Sequence, residues 1–295
     1  MQDCAGRLGG NLDIHPCKTE RRLIDMNMFE YYGYFREEYE TDCLTRTESK
    51  IIRHLFDKYL PAEGRVLDSS AGFGTFAFDF AERGYKVVAG DLIADHVEQI
   101  KADPKFPLLE DVYCASPRNL SRFEDGSFDI VISLGPMYHF KTNAERGAYV
   151  RESLRVLSPD GYFAFTFMTP FAMTLGQYFN AVRTYDNRDK LKAFRKLAQV
   201  EKSHNCDMFI GLDLDDISDI AREHGMEILT VASTYGMLYN MTGEVDALNE
   251  EEYNNFVNGQ IATCEDAFIA RYCMRGLVIC KKRNMDMFDS PGMIL

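Results

Sequence analysis

The sequence has no apolar stretch near the 18 or more residues that a membrane-spanning helix requires, which argues against a membrane protein. Residues 1–25 are polar and lack the apolar core of a secretory signal. Basic charge is scarce: 33 Lys and Arg face 46 Asp and Glu, a net charge of −13, and no run of Lys and Arg forms a patch. Nucleic-acid binders normally carry a basic face, so no nucleic-acid partner is expected. C-x-x-C pairs are absent among Cys4, Cys17, Cys43, Cys114, Cys206, Cys264, Cys273 and Cys280, and no Cys/His spacing suits a zinc site. These cysteines read as reduced thiols of a cytoplasmic protein, with no metal expected. No internal repeat is present. What remains is a chain of 295 residues, 46% hydrophobic, enough for one large domain or one domain with an insertion.

The organising stretch is Arg65-Val-Leu-Asp68-Ser-Ser70-Ala-Gly72-Phe-Gly74-Thr-Phe-Ala77. It reads as a buried strand, a tight glycine loop and a helix to about Arg83. Gly84 stops that helix, because glycine takes the left-handed cap conformation cheaply. A second strand, Tyr85 to Ala89, ends in Gly90-Asp91. Strand, glycine turn, helix, strand and acid form a βαβ unit suited to a nucleoside, with backbone N–H groups facing the ligand and the acid accepting ribose hydroxyl protons. Two cofactors compete. Gly72-x-Gly74-x-x-Ala77 with Asp91 about 20 residues on fits a dinucleotide. Asp68, four residues before Gly72, fits S-adenosylmethionine (SAM), where a carboxylate lies near the positively charged methionine end. In a dinucleotide site that acid would repel the pyrophosphate. The loop therefore favours SAM.

Residues 1–25 read as a flexible arm. Residues 26–60 read as an N-terminal lid and helix, with the aromatic run Tyr31-Tyr32-Gly-Tyr34-Phe35 able to cover a ligand or pack on the core. Thr45 to Tyr59 has helical periodicity in Ile51, Ile52, Leu55, Phe56 and Tyr59, with Thr47 a candidate cap. A helix is expected at Ala94 to Ala102, broken by Pro104 and Pro107, then a short strand at Val112 to Cys114. Phe128 to Leu134 is nearly all apolar, as a parallel strand covered on both faces should be. A helix from about Ala144 to Val156 follows, then a Ser158-Pro-Asp-Gly161 turn and a strand from Tyr162 to Met168. Residues 170–210 interrupt the rhythm and read as a helical lid insertion at the strand tips. Leu214 to Glu223 and Asn249 to Thr263 read as helices, Met226 to Ser233 and Arg275 to Lys281 as strands, and residues 284–295 as a tail.

This order of parts resembles the class I SAM-dependent methyltransferases. The resemblance covers about Gly64 to Arg283 and rests on Val66-Leu-Asp68-x-x-x-Gly72-x-Gly74, Gly90-Asp91, Phe128 to Ser133, and Leu154-Arg-Val-Leu-Ser-Pro159-Asp-Gly161. A narrower bacterial subgroup is also similar, through Leu134-Gly-Pro-Met-Tyr-His-Phe140 and Ala262-Thr-Cys-Glu265. The resemblance implies a Rossmann-like, doubly wound, mostly parallel seven-stranded sheet with an antiparallel last strand, in a domain spanning residues 61–283. It implies that Asp68, Ser70, Gly72 and Gly74 line the methionine part of the cofactor. Asp91 would bind the ribose and Leu92 would flank adenine. Ala115 and Ser116 would meet the adenine edge, and Ser133, Leu134 and Gly135 would run under the sulfonium. Ser70 replaces the first glycine of the family loop, which an ordinary backbone conformation allows. Ser116 stands where many relatives carry Asp, and a hydroxyl still accepts the adenine amine's hydrogen bond.

Tyr138 and His139, at the fourth strand tip, are the candidate bases, since a histidine titrates near neutrality. The alternative for His139 is to cap or orient the next helix. Tyr31, Tyr32, Tyr34, Tyr178 and Glu265 are candidates for the acceptor pocket. The expected activity is methyl transfer to a small-molecule amine or hydroxyl, by a monomer or homodimer. The acidic composition suits a neutral or cationic acceptor. The alternatives are a peptide or protein acceptor, an inactive SAM-binding regulatory protein, and a nicotinamide-dependent oxidoreductase.

Overall fold

The computed structural model describes residues 43–171, 209–236 and 242–283. Seven strands form one sheet: β1 (Arg65–Asp68), β2 (Lys86–Asp91), β3 (Asp111–Cys114), β4 (Phe128–Ser133), β5 (Leu157–Met168), β6 (Met226–Ser233) and β7 (Arg275–Lys282). Their spatial order is β3-β2-β1-β4-β5-β7-β6. Pairs among β1 to β5 are parallel, whereas β7 runs antiparallel to both β5 and β6. The order reverses between β1 and β4, and in open α/β sheets ligands bind beyond the strand tips at such a switch.

Side-chain alternation splits the apolar residues between two faces. Val66, Ile130, Ile132, Ala164 and Ile279 pack on one side, under α1 (Cys43–Tyr59) and α2 (Thr75–Glu82). Leu67, Val131, Phe163, Phe165 and Val278 pack on the other, under α4 (Asn143–Val156) and α5 (Leu214–Glu223). The remaining α-helices among the described residues are α3 (Ala94–Ala102), α6 (Thr242–Asp246), α7 (Glu250–Thr263) and α8 (Ala267–Arg271). No helix among the described residues is long and apolar enough to cross a membrane.

Three local expectations change. α1 already includes Cys43, four residues before Thr47, so Thr47 is not its cap; it is fully buried in the helix, with its hydroxyl 3.2 Å from that of Tyr253 on α7. The Ser158 to Gly161 turn is absorbed into β5, where Asp160 takes φ +65° and the pairing with β4 shifts register. The start of α4 is capped by Thr142, whose hydroxyl accepts the Glu145 N–H at 3.2 Å while Glu145 accepts the Thr142 N–H at 3.1 Å, so capping is not the task of His139.

The expected arm, the N-terminal lid and the tail lie outside the described residues, as does nearly all of the 170–210 insertion. The described ends of that insertion meet at the tip of β5. Leu212 N–H donates to Met168 O at 2.8 Å, and Ile210 N–H donates to Tyr138 O at 2.7 Å.

Candidate functional site

The glycine loop after β1 is stitched to the strands on either side. Ser69 N–H donates to Ile132 O of β4, and Ala71 N–H to Gly90 O of β2. Gly72 and Gly74 take φ of +54° and +89°, conformations that L side chains rarely adopt. Their surroundings differ. A Cβ on Gly72 would meet nothing, because the residue opens onto a cavity, whereas a Cβ on Gly74 would strike Phe78 at 2.7 Å. Gly72 therefore faces the site and Gly74 packs the loop onto α2. Ser70 keeps an ordinary backbone, and its hydroxyl lies 3.3 Å from that of Ser133.

Asp91 at the β2 tip organises the loop. Its carboxylate accepts N–H bonds from Gly72 and Ile93, each at 2.8 Å, and lies 3.2 Å from His96 Nδ1. A carboxylate offers about four lone-pair positions, so acceptor capacity remains for ribose hydroxyls. Asp68 is almost fully buried. Burial pushes its carboxyl up to about 8; the Ser70 N–H opposes that rise and the Asp91 charge adds to it. A buried acid in that state suits a ligand that brings positive charge.

Beyond the loop lies a cavity of about 590 Å³. Its lining includes Asp68, Ser70, Gly72, Asp91, Leu92 and Ser116, together with Leu134, Gly135, Tyr138, His139, Glu48 and Arg275. Tyr138 is buried in the short helical turn Met137–His139, and its ring contacts His139 and Phe209 with centroids 4.8 and 5.8 Å away. Arg118 and Glu145 pair at 3.0 Å on the rim.

The structure thus brings most of the sequence-derived candidates to one cavity. Gly74, Ala115 and Ser133 do not line it; Ser133 is buried beneath the loop, where it accepts the Ser69 hydroxyl at 2.8 Å. Glu265 does not line it either. Its carboxylate accepts bonds from Lys58, Tyr59 and Thr230 and ties α1 to β6. Burial opposes its ionisation, and those three donors outweigh burial, holding the carboxyl down to about 2. That makes Glu265 a tether rather than a pocket residue. Tyr31, Tyr32, Tyr34 and Tyr178 lie outside the described residues. Glu48, His96 and Arg275 line the cavity without having been expected there. Only His96 carried a local signal, one helical turn after Asp91-Leu92.

A family model described as a methyltransferase domain matches residues 67–165. That match runs from Leu67 in β1 through most of β5, about a third of the chain. YqeM of Bacillus subtilis, provisionally named a methyltransferase, is 30% identical over 115 residues, 38% of this chain and 45% of that protein. The SAM-dependent Diels-Alderase iliD of a Neonectria species is 27% identical over 154 residues, 52% of this chain and 54% of that protein. The chain thus spans about half the length of these curated relatives. Among solved structures, the PH0226 protein of Pyrococcus horikoshii has a TM-score of 0.52 at 17% identity, covering 85% of this chain and 99% of that one. A provisionally named SAM-dependent methyltransferase from Listeria monocytogenes has 0.53 at 17%, covering 81% and 100%. These likenesses establish the Rossmann-like fold. The donor set fits SAM: a buried acid for its cationic end, a strand-tip acid for its ribose, and a loop glycine open to the cavity.

Proposed function

We propose that the protein transfers a methyl group from SAM to a small-molecule acceptor through an amine or hydroxyl, leaving S-adenosylhomocysteine. The observation that carries this reading is one cavity lined both by the glycine loop and by Tyr138 and His139. When bound, the cofactor supplies an electrophilic methyl carbon, whose bond to sulfur breaks as the acceptor bond forms, the electron pair staying on sulfur. Asp68 balances the cationic end, Asp91 holds the ribose, and Leu92 and Ser116 border adenine. Leu134 and Gly135 floor the site, and Tyr138 and His139 stand where an acceptor's proton can be taken. The Leu134 to Phe140 motif supports placement in the bacterial subgroup that shares it. A cytoplasmic setting agrees with the thiols: among the described cysteines all five are free, and burial pushes Cys264 up to about 11 and Cys273 and Cys280 up to about 12.

The test has two stages. Calorimetric titration with S-adenosylhomocysteine, with NADH as control, should give micromolar binding of the first and none of the second. An acceptor panel should then give acceptor-dependent S-adenosylhomocysteine formation. A second reading has its own support: iliD and iccD are named SAM-dependent Diels-Alderases. On that reading SAM is bound and ring closure proceeds without loss of its methyl group. Binding of S-adenosylhomocysteine with no turnover on any nucleophile would favour it.

A further inference from the structure

The cavity lining contains a charged chain assembled from three distant segments. Arg275, the first residue of β7, donates Nη1–H to Glu48 Oε2 on α1 and Nη2–H to the Tyr138 hydroxyl oxygen, both at 2.9 Å. Glu48 also accepts from the Thr234 and Tyr235 hydroxyls, each at 3.0 Å. The Arg275 and Glu48 side chains are only 18% and 10% exposed, yet both border the cavity together with Tyr138. A buried ion pair is a poor device for stability alone, because desolvation consumes much of its attraction. This pair also has a direction: the second arm of the guanidinium ends on the phenol oxygen at the cavity.

We propose that Glu48 and Arg275 are positioning residues that make the Tyr138 oxygen the proton acceptor of the site. Arg275 favours the phenolate, because a cation at hydrogen-bond distance stabilises the charged form of an acid. Glu48, on the far side of the guanidinium, limits that effect and fixes the fork's orientation. Tyr138 takes the proton that the acceptor's O–H or N–H loses as that atom receives the methyl group, and passes it to solvent. The inference rests on the methyl-transfer reading. Among the described residues, Tyr138 is also faced by His139 on its own turn, by Tyr149 from α4, and by Tyr235, which reaches it through Arg275.

The chain has no tryptophan, so tyrosinate formation reads cleanly in an ultraviolet difference spectrum against pH. One of its 16 tyrosines should ionise ahead of the others, and Tyr138→Phe should delete that step. Glu48→Gln should move the step to lower pH, and Arg275→Gln to higher pH, with Arg275→Lys restoring part of the shift. A pair that only tied α1 to β7 would not move one tyrosine in opposite directions. The inference is overturned if the wild type has no early step, if Tyr138→Phe leaves it in place, or if the two charge variants shift it the same way. Should Arg275→Gln fail to fold, Glu48→Gln decides alone, an upward or absent shift refuting the inference. Titration of the wild type with S-adenosylhomocysteine separates the two claims. Binding without an early step defeats only this inference, whereas no binding defeats the methyl-transfer reading.

Discussion

The raised Asp68 carboxyl makes cofactor affinity depend on pH with a definite sign. In the free protein Asp68 holds its proton up to about pH 8, chiefly through burial. A bound ligand whose ammonium end faces the carboxylate stabilises the ionised form, so binding at lower pH must expel that proton. If ligation returns the group to the ordinary range near 4, the association constant for S-adenosylhomocysteine should rise about 50-fold between about pH 6 and about pH 8, approaching tenfold per unit at the acid end. Calorimetry in two buffers of different ionisation enthalpy counts the protons: about one released near pH 6 and about half near pH 8. Asp68→Asn, which cannot ionise, should flatten the profile and abolish the release. A flat wild-type profile with no proton released would refute the placement of Asp68 at a cationic ligand end. The same group acts on stability. Its folded value lies above its unfolded one, so its contribution is fully present below about pH 4 and is lost as pH rises through about 8. The ligand-free protein should therefore lose stability progressively between about pH 4 and about pH 8 and level off above, and the ligand should restore most at the alkaline end.

Three further outcomes are expected. Asp91→Ala leaves the Gly72 and Ile93 N–H groups without their carboxylate, and should weaken S-adenosylhomocysteine binding by about 1–3 kcal/mol in the same titration. Glu265→Gln should lower stability in urea by about 1–3 kcal/mol without altering cofactor affinity. Its parent carboxylate should give stability present above about pH 4.5 and lost as pH falls through about 2. Gly90→Ala places a Cβ 2.2 Å from the Tyr113 ring, which Phe123 meets edge-on at 5.3 Å and Arg122 covers at 4.6 Å; overpacking should cost about 1–3 kcal/mol in thermal or urea unfolding, with Gly90→Ala/Tyr113→Val recovering part of it.

The loop that lines the cavity was legible because its signals are local. Asp68, Gly72 and Asp91 belong to one βαβ unit, where the chemistry that folds the loop also shapes the ligand's seat. α3 matches its expected span, Ala94–Ala102, because Pro104 and Pro107 follow it closely in sequence. Errors arose where tertiary packing overrode a local rule. Thr47 has the chemistry of a cap but is buried against Tyr253, and Glu265 sits in a motif yet serves Lys58, Tyr59 and Thr230. Glu48 and Arg275 gave no signal, since 227 positions separate them and each resembles an ordinary surface charge until the sheet places β7 beside α1.

A net charge of −13 suits a neutral or cationic acceptor, but an acceptor meets the cavity and not the average surface. Away from Asp68 and Asp91 the lining carries Arg46, Lys50, Arg53, Arg118 and Arg275 against Glu48 and Glu145. Several of these cations have partners: Arg46 pairs with Glu250, Arg53 with Asp79, and Lys50 with the Asn254 amide. Among the described residues, a permanent cation entering this space would meet lining cations at least as numerous as the lining acids, with the enclosed part of the cavity screening it poorly. An acceptor that is neutral on entry and anionic at the transferring atom suits the lining better. That ranks hydroxyl acceptors, phenols and enols among them, above protonated amines. An acceptor panel should therefore show its highest kcat/KM on hydroxyl compounds, and turnover confined to cationic amines would overturn that ranking.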